Sequence, residues 1–387
     1  MHRSSVRSTR SVRASIVMCT LLCSLCSNLS ASSLSLPVVH DSADLLHSCV
    51  ADPLSSDASV LQAGGIGAAS NNIGSLWVIG EPRQAAQDYG GSTAYALLQR
   101  SQWLKLSRNG WSFTYGVGRR AVYAGNADAA QLWIDVRSEN RTQRTYAPEA
   151  RGVEFSAYWY GVGRDFPIRT GNLTGVASLS IRRVITYDYL ARSLIGEVPE
   201  EEAFKVFTAM MRSVSTGPTS GDGWAVDGDV RLRYGDRWVG QAAVEGLLGC
   251  VSWKGLTVED GLIVSPRTFT DPEGFLRDCG GITGATWTEN RTARLCPYYR
   301  LDLMRTGRPA MLLGISFRSG ERIAPNFGAA WPQKRRWIPY TRYYPVQRRL
   351  EVGAVGSTWR LRISGDDWIY SSPRNAEVSA GLHVLTF

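Results

Sequence analysis

Residues 226–234 read VDGDVRLRY, and their alternation decides the fold. In an extended chain Val226, Gly228, Val230, Leu232 and Tyr234 fall on one face, and Asp227, Asp229, Arg231 and Arg233 fall on the other. Four ionic side chains in succession on one face require water on that side, because an unpaired buried charge is costly. The apolar side requires a greasy neighbour. Two architectures supply both: two sheets stacked with their apolar faces together, or a barrel with lipid outside and water inside.

The same period of two recurs from about residue 75 onward. Trp111, Phe113, Tyr115 and Val117 alternate with Ser112, Thr114, Gly116 and Gly118. Leu132, Ile134 and Val136 alternate with Trp133, Asp135 and Arg137, and Val153, Phe155, Ala157 and Trp159 with Glu154, Ser156 and Tyr158. Ala177, Leu179, Ile181, Ile185, Tyr187 and Tyr189 share one face of a long predicted strand, and Trp359, Leu361 and Ile363 oppose Arg360 and Arg362. Turn signals separate these runs: Asn109-Gly110, Gly235-Asp236, Thr306-Gly307, Ser319-Gly320 and Gly365-Asp366. Strand, short turn, strand, longer loop is a meander rather than the βαβ repeat of a parallel sheet.

Three features favour the membrane barrel. Several runs reach ten or more residues, the length a tilted strand needs to cross a bilayer. Full charges sit in mid-strand. Aromatic residues gather near strand ends, at Trp337, Tyr340, Tyr343, Tyr344, Trp359, Trp368 and Tyr370, where outer-membrane barrels carry girdles. The predicted fold is all-β, an antiparallel transmembrane β-barrel of roughly 12–14 strands, with the barrel proper over residues 91–387. Its charged faces line the lumen, which makes Asp227, Asp229, Arg231, Arg233, Arg360 and Arg362 the predicted lumen and ligand-binding residues. One stretch departs from the pattern: in residues 199–214 (PEEEAFKVFTAMMRSV) apolar residues recur at helical spacing behind three glutamates, which predicts a short loop helix.

Residues 1–33 have the marks of a signal peptide. Arg3, Arg7, Arg10 and Arg13 form a basic start, residues 15–26 are mostly apolar, and small residues follow. A mitochondrial presequence is the rival assignment for such an Arg- and Ser-rich start. Removing the leader takes four arginines from the formal charge of +9 and leaves +5, too mild for a nucleic-acid binder. Beyond it no run of 18 apolar residues occurs. Cys49, Cys250, Cys279 and Cys296 permit two disulfides, with Cys279 and Cys296 placed to staple one loop.

Catalytic constellations are absent. Histidine stands only at positions 2, 40, 47 and 383, and no GxSxG, P-loop or HExxH pattern occurs. The sequence predicts no enzyme, no metal and no cofactor. The basic and aromatic stretch 331–350, with Lys334, Arg335 and Arg336 beside Trp337, suits anionic lipid headgroups better than nucleic acid.

Residues 64–82 read GGIGAASNNIGSLWVIGEP. This stretch resembles the opening motif of the FadL/PorV-like outer-membrane barrels: Gly64, Gly65 and Gly67 match its glycines, Asn71-Asn72 its polar pair, Ser75-Leu76-Trp77 its small-Leu-aromatic step, and Pro82 alone its Asn-Pro-Ala element. The resemblance implies that residues 34–90 form an N-terminal segment inside the lumen. It also implies a role in passive transport of a small hydrophobic or amphipathic solute. The final strand, ending in Phe387, is similar to the signal read by the barrel-assembly machinery, although Val378, Ala380, Leu382 and Val384 make its more apolar face. A register-shifting bulge near the end, or a coincidental Phe, accounts for that mismatch. The expected partners are outer-membrane lipid and that machinery, the expected location is the cell outer membrane, and the alternative role is a non-transporting anchor or assembly component of a surface or secretion complex.

Overall fold

The computed structural model describes residues 59–71, 91–137, 145–197, 208–216, 220–270, 276–318, 323–331, 337–366 and 375–386. They form β1 (Ser59–Asn71), β2 (Thr93–Arg108), β3 (Trp111–Asn126), α1 (Ala127–Arg137), β4 (Glu149–Thr170), β5 (Leu173–Glu197), β6 (Thr208–Ser215), β7 (Gly221–Tyr234) and β8 (Trp238–Thr270). The second half gives β9 (Leu276–Arg294), β10 (Tyr298–Arg305), β11 (Ala310–Arg318), β12 (Ala324–Ala330), β13 (Trp337–Tyr344), β14 (Arg349–Gly356), β15 (Trp359–Gly365) and β16 (Asn375–Thr386).

Every pairing is antiparallel between neighbours, and the ring closes. β16 pairs with β1 from Ser59↔Thr386 to Ser70↔Asn375 without a register shift. β6 and β7 run in series between β5 and β8, and β9 and β10 run in series along β8. Sixteen segments therefore occupy fourteen wall positions, a closed 14-stranded barrel. No helix among the described residues is long and apolar enough to cross a membrane. Short turns, such as the Asn109-Gly110 hairpin with both residues at positive φ, join strands at one end. The longer connections lie at the other.

The lipid zone can be read off β7. Its outward side chains run from exposed Tyr234 to exposed Trp224, ten residues on, about the 25 Å height of an apolar band with an aromatic at each edge. The next outward residue, Asp222, pairs with Arg183. Exposed Leu179, Ile181, Leu301, Leu303, Leu313, Leu361, Val378 and Leu382 continue the band around the wall. Trp111, Trp238 and Trp359 mark its edge at the short-turn end.

The wall is uneven in height. β4, β5 and β8 have 22, 25 and 33 residues, while β10 to β15 have seven to nine. Above the lipid zone the tall side reverses its polarity. Phe155, Trp159, Val184, Tyr189, Val251, Trp253, Leu256 and Val258 pack together on the inner face, and ion pairs such as Arg119–Glu154 lie outside. Once water replaces lipid, burial favours the inside again.

That reversal corrects several expectations. Phe155, Ala157 and Trp159 point inward, away from lipid. A bulge opposite Ser156/Ala157 leaves exposed Tyr187 unpaired and turns Tyr189 inward, so the two do not share a face. Tyr340 and Tyr344 are buried luminal residues, not girdle members; Trp368 and Tyr370 lie outside the described residues. The helix predicted at 199–214 is strand β6 from Thr208 onward, held by ladders on both sides; residues 198–207 lie outside the described set. A helix forms instead at α1, where strand was expected for residues 132–136. Asn126 caps it, its Oδ1 accepting from Ala129 N at 2.8 Å. Inside that connection the buried Asp135 carboxylate accepts from Tyr146 and Gln131. Gly64, Gly65 and Gly67 lie in wall strand β1, not inside the lumen. Asn72, Trp77, Pro82, the leader 1–33 and Phe387 lie outside the described residues. Cys250 and Cys296 are free thiols. Cys279 lies in β9 and Cys296 just past its end, so an extended run of 17 residues, about 55 Å, keeps them apart.

Candidate functional site: an ionic belt on the luminal wall

All six predicted lumen residues lie on inward positions of their strands. Asp227 and Asp229 are buried on β7. Arg231 Nε donates to Asp229 Oδ1 at 2.8 Å, and Gln241 Nε2 to Asp229 Oδ2 at 2.7 Å. Asp227 pairs with Arg182 of β5 at 2.5 Å and accepts from the Gly246 amide at 2.8 Å. Arg233 stands near the short-turn rim and is exposed. Arg360 and Arg362 are buried on β15, on a different arc of the wall.

The belt continues through residues that were not singled out from the sequence. Asp302 of β10 pairs with Arg300 at 2.5 Å and with Arg342 of β13 at 2.8 Å. The latter bond crosses β11 and β12, a chord that only the concave side of the wall permits. Glycines clear its path: a Cβ at Gly314 would strike the Asp302 carboxylate, and one at Gly328 would strike β13 at Thr341 and Arg342. Next in the ring, Tyr344 donates to Glu351 at 2.9 Å, Arg362 pairs with Glu351 at 3.6 Å and with Glu377, and Arg349 reaches Glu377 at 2.7 Å across β15. Among the described residues of this arc Arg300, Arg342, Arg349, Arg360 and Arg362 face Asp302, Glu351 and Glu377, with Glu245 of β8 at its edge. The positive excess suits an anionic or strongly dipolar group. A signal for Asp302 was present in the sequence, since Arg300 and Asp302 alternate with Leu301 and Leu303.

Above the belt the inner face is apolar up to Val214 and Val258, beyond which Arg212 pairs with Asp260 at 3.9 Å and with Glu289 at 3.7 Å on the same face. At the top of the tall side Ile195, Met210 and Leu262 are direct cross-strand neighbours. They remain 55%, 67% and 39% exposed, although they face the concave side. Exposed Trp287 lies on the same face of β9, with the Arg212 guanidinium 5.8 Å from its ring.

No family model and no curated protein matches the chain. Among solved structures it is similar to a "TodX deltaS2S3 mutant monoaromatic hydrocarbon channel", at 10% identity and a TM-score of 0.44 over 91% of this chain and 96% of that one. It is similar also to the Pseudomonas putida toluene transporter TodX, at 12% identity and 0.40 over 91% and 94%. The translocator domain of the autotransporter NalP from Neisseria meningitidis gives 10% identity and 0.27 over 88% and 92%. TodX belongs to the FadL outer-membrane transporter family. At these identities and TM-scores the likenesses carry no conclusion about cargo, and the assignment stands on the chain's own wall. Closed, apolar outside across one membrane thickness and ionic within, the chain is an outer-membrane β-barrel.

Proposed function

We propose that the barrel passes a small hydrophobic or amphipathic solute across the outer membrane without an energy source. The observation that supports this is the exposed patch of Ile195, Met210 and Leu262 on the concave side of the tall wall. Apolar side chains on the inside of a barrel mouth offer a landing surface for a greasy solute. Below them the luminal wall turns ionic at Asp227, Asp229, Asp302 and Arg342, which suits a solute with one polar end. The long-connection end faces outward and the short turns inward, the usual orientation of such barrels.

The test is efflux of anilinonaphthalene sulfonate, an amphipathic and poorly permeant dye, from liposomes holding the purified barrel. Efflux above that of empty liposomes, lowered severalfold in a Met210→Asp/Leu262→Asp variant, is the expected result. Equal efflux from barrel-containing and empty liposomes overturns it.

One observation favours a second role, an anchor for another chain. Among the described residues β9 pairs only with β8, and residues 283–288 are exposed on both faces. An open edge of this kind accepts an added strand. A stable partner recovered with the barrel, together with no dye efflux, supports the anchor over the channel.

A further inference from the structure

Among the described residues, the level at which lipid-facing side chains become ionic is marked by two clusters, and they differ. On β5 and β7 the charge is balanced: Arg183 donates to both oxygens of Asp222, at 2.9 and 2.8 Å, and to the Tyr160 hydroxyl at 3.0 Å. On β2 and β3 it is not. Arg100 and Arg119 are direct cross-strand partners on the outward face, and the Arg119 side chain is 65% exposed. Arg119 donates to Glu154 at 2.8 Å. That carboxylate also accepts from the Tyr123 hydroxyl and lies in the field of Arg192, while Asp188 acts on Arg119 from further away. No ion pair or hydrogen bond to Arg100 is present among the described residues. Glu154 and Asp188 thus answer Arg119 and Arg192, and no carboxylate among the described residues pairs with Arg100.

Like charges directly opposite on a sheet repel, and Glu154 answers only Arg119, so the pair has room for an anion from outside the chain. Its position says which kind. Nearer the short-turn end the outward side chains of the same strands are exposed Leu104, Leu106, Phe113 and Tyr115, which face hydrocarbon. The two arginines therefore stand at headgroup height, on the side of the long connections. We infer that Arg100 and Arg119 bind a phosphate of an outer-leaflet glycolipid of the lipid A type. The guanidinium fork matches phosphate oxygens in pairs, and the acyl chains lie along the apolar band below. The site is independent of whatever passes through the lumen.

Native mass spectrometry of the detergent-purified barrel, titrated with bis-phosphorylated lipid A, tests it. The Arg100→Ser/Arg119→Ser variant is expected to retain about thirtyfold less lipid A, since each cation at a membrane surface contributes a factor of about five. Arg183→Ser is expected to leave retention unchanged. Glu154→Gln, which removes a competing carboxylate, is expected to raise it, and dephosphorylated lipid A is expected to bind the wild type no better than the double variant. Heat-modifiable gel mobility reports whether each variant is folded, and if the double variant does not fold, Glu154→Gln and the dephosphorylated lipid decide. Equal retention by wild type and folded double variant, no gain in Glu154→Gln, or equal displacement of lipid A by phosphatidylglycerol each overturns the proposal.

Discussion

The guanidinium carbon of Arg360 on β15 lies 5.3 Å from the centre of the Trp103 ring on β2, although β16 and β1 stand between them. The four residues Trp103, Gly64, Gly381 and Arg360 occupy one row of the register. A Cβ at Gly64 would come within 2.6 Å of the Trp103 ring, and one at Gly381 within 2.5 Å of Arg360 Nε. The two glycines are the floor over which a cation and an indole meet, at the seam where the first and last strands join.

Valine at either glycine is therefore expected to obstruct the seam. Gly64→Val or Gly381→Val should destabilise the barrel by about 1–3 kcal/mol, the usual cost of overpacking, and should lower the temperature at which gel mobility shifts on heating. Alanine at Gly67, where an added Cβ meets nothing within 4 Å, should leave that temperature unchanged.

The Asp302–Arg342 chord makes a sharper demand. Both side chains are essentially buried, and removing Arg342 leaves the Asp302 carboxylate to Arg300 alone. Arg342→Met is expected to cost about 3–5 kcal/mol, read as a fall in the urea midpoint of unfolding in detergent. Adding Asp302→Asn to it should recover less than the whole of that loss, because buried Arg300 then loses its carboxylate. Additive losses in the double variant would show that the two groups do not depend on each other.

The height of the lipid zone can be mapped by arginine scanning. Arginine at Ile181, inside the band, is expected to cost about 2–4 kcal/mol in bilayers. Arginine at Tyr187, exposed on the same strand above the Arg183–Asp222 level, should cost well under 1 kcal/mol, as at other solvated surface sites. Folding titrations into phospholipid vesicles measure both.

Asn126 ties the β3–β4 connection together. Its amide accepts from Ala129 N and Glu149 N and donates to Ala147 O. Asn126→Ala should weaken α1 by about 1 kcal/mol, seen as faster amide exchange in Ala127–Arg137 with the wall strands unaffected.

Much of the wall was legible because its code is local. In residues 226–234 each side chain's face follows from its parity alone, and Asp227, Asp229 and Arg231 point inward as their alternation with Val226, Val230 and Leu232 requires. Residues 199–214 misled because Phe204, Phe207, Met210 and Met211 satisfy helical spacing, while the ladders to β5 and β8 that make Thr208–Ser215 a strand are long-range. The opposite error at residues 132–136 came from alternation within a segment whose capping residue, Asn126, lies outside that window. Phe155 and Trp159 could not be assigned a face from sequence, since alternation does not say whether water or lipid lies outside. The Gly64–Trp103 and Gly381–Arg360 contacts join residues far apart in the chain, and nothing local announces them.

The uneven rim gives the barrel a tall half and a short half. Strands β4 to β9 stand like a parapet well clear of the lipid, whereas β10 to β15 end close to it. Among the described residues, anything approaching along the barrel axis from the long-connection end meets the side of β4, β5 and β8 first.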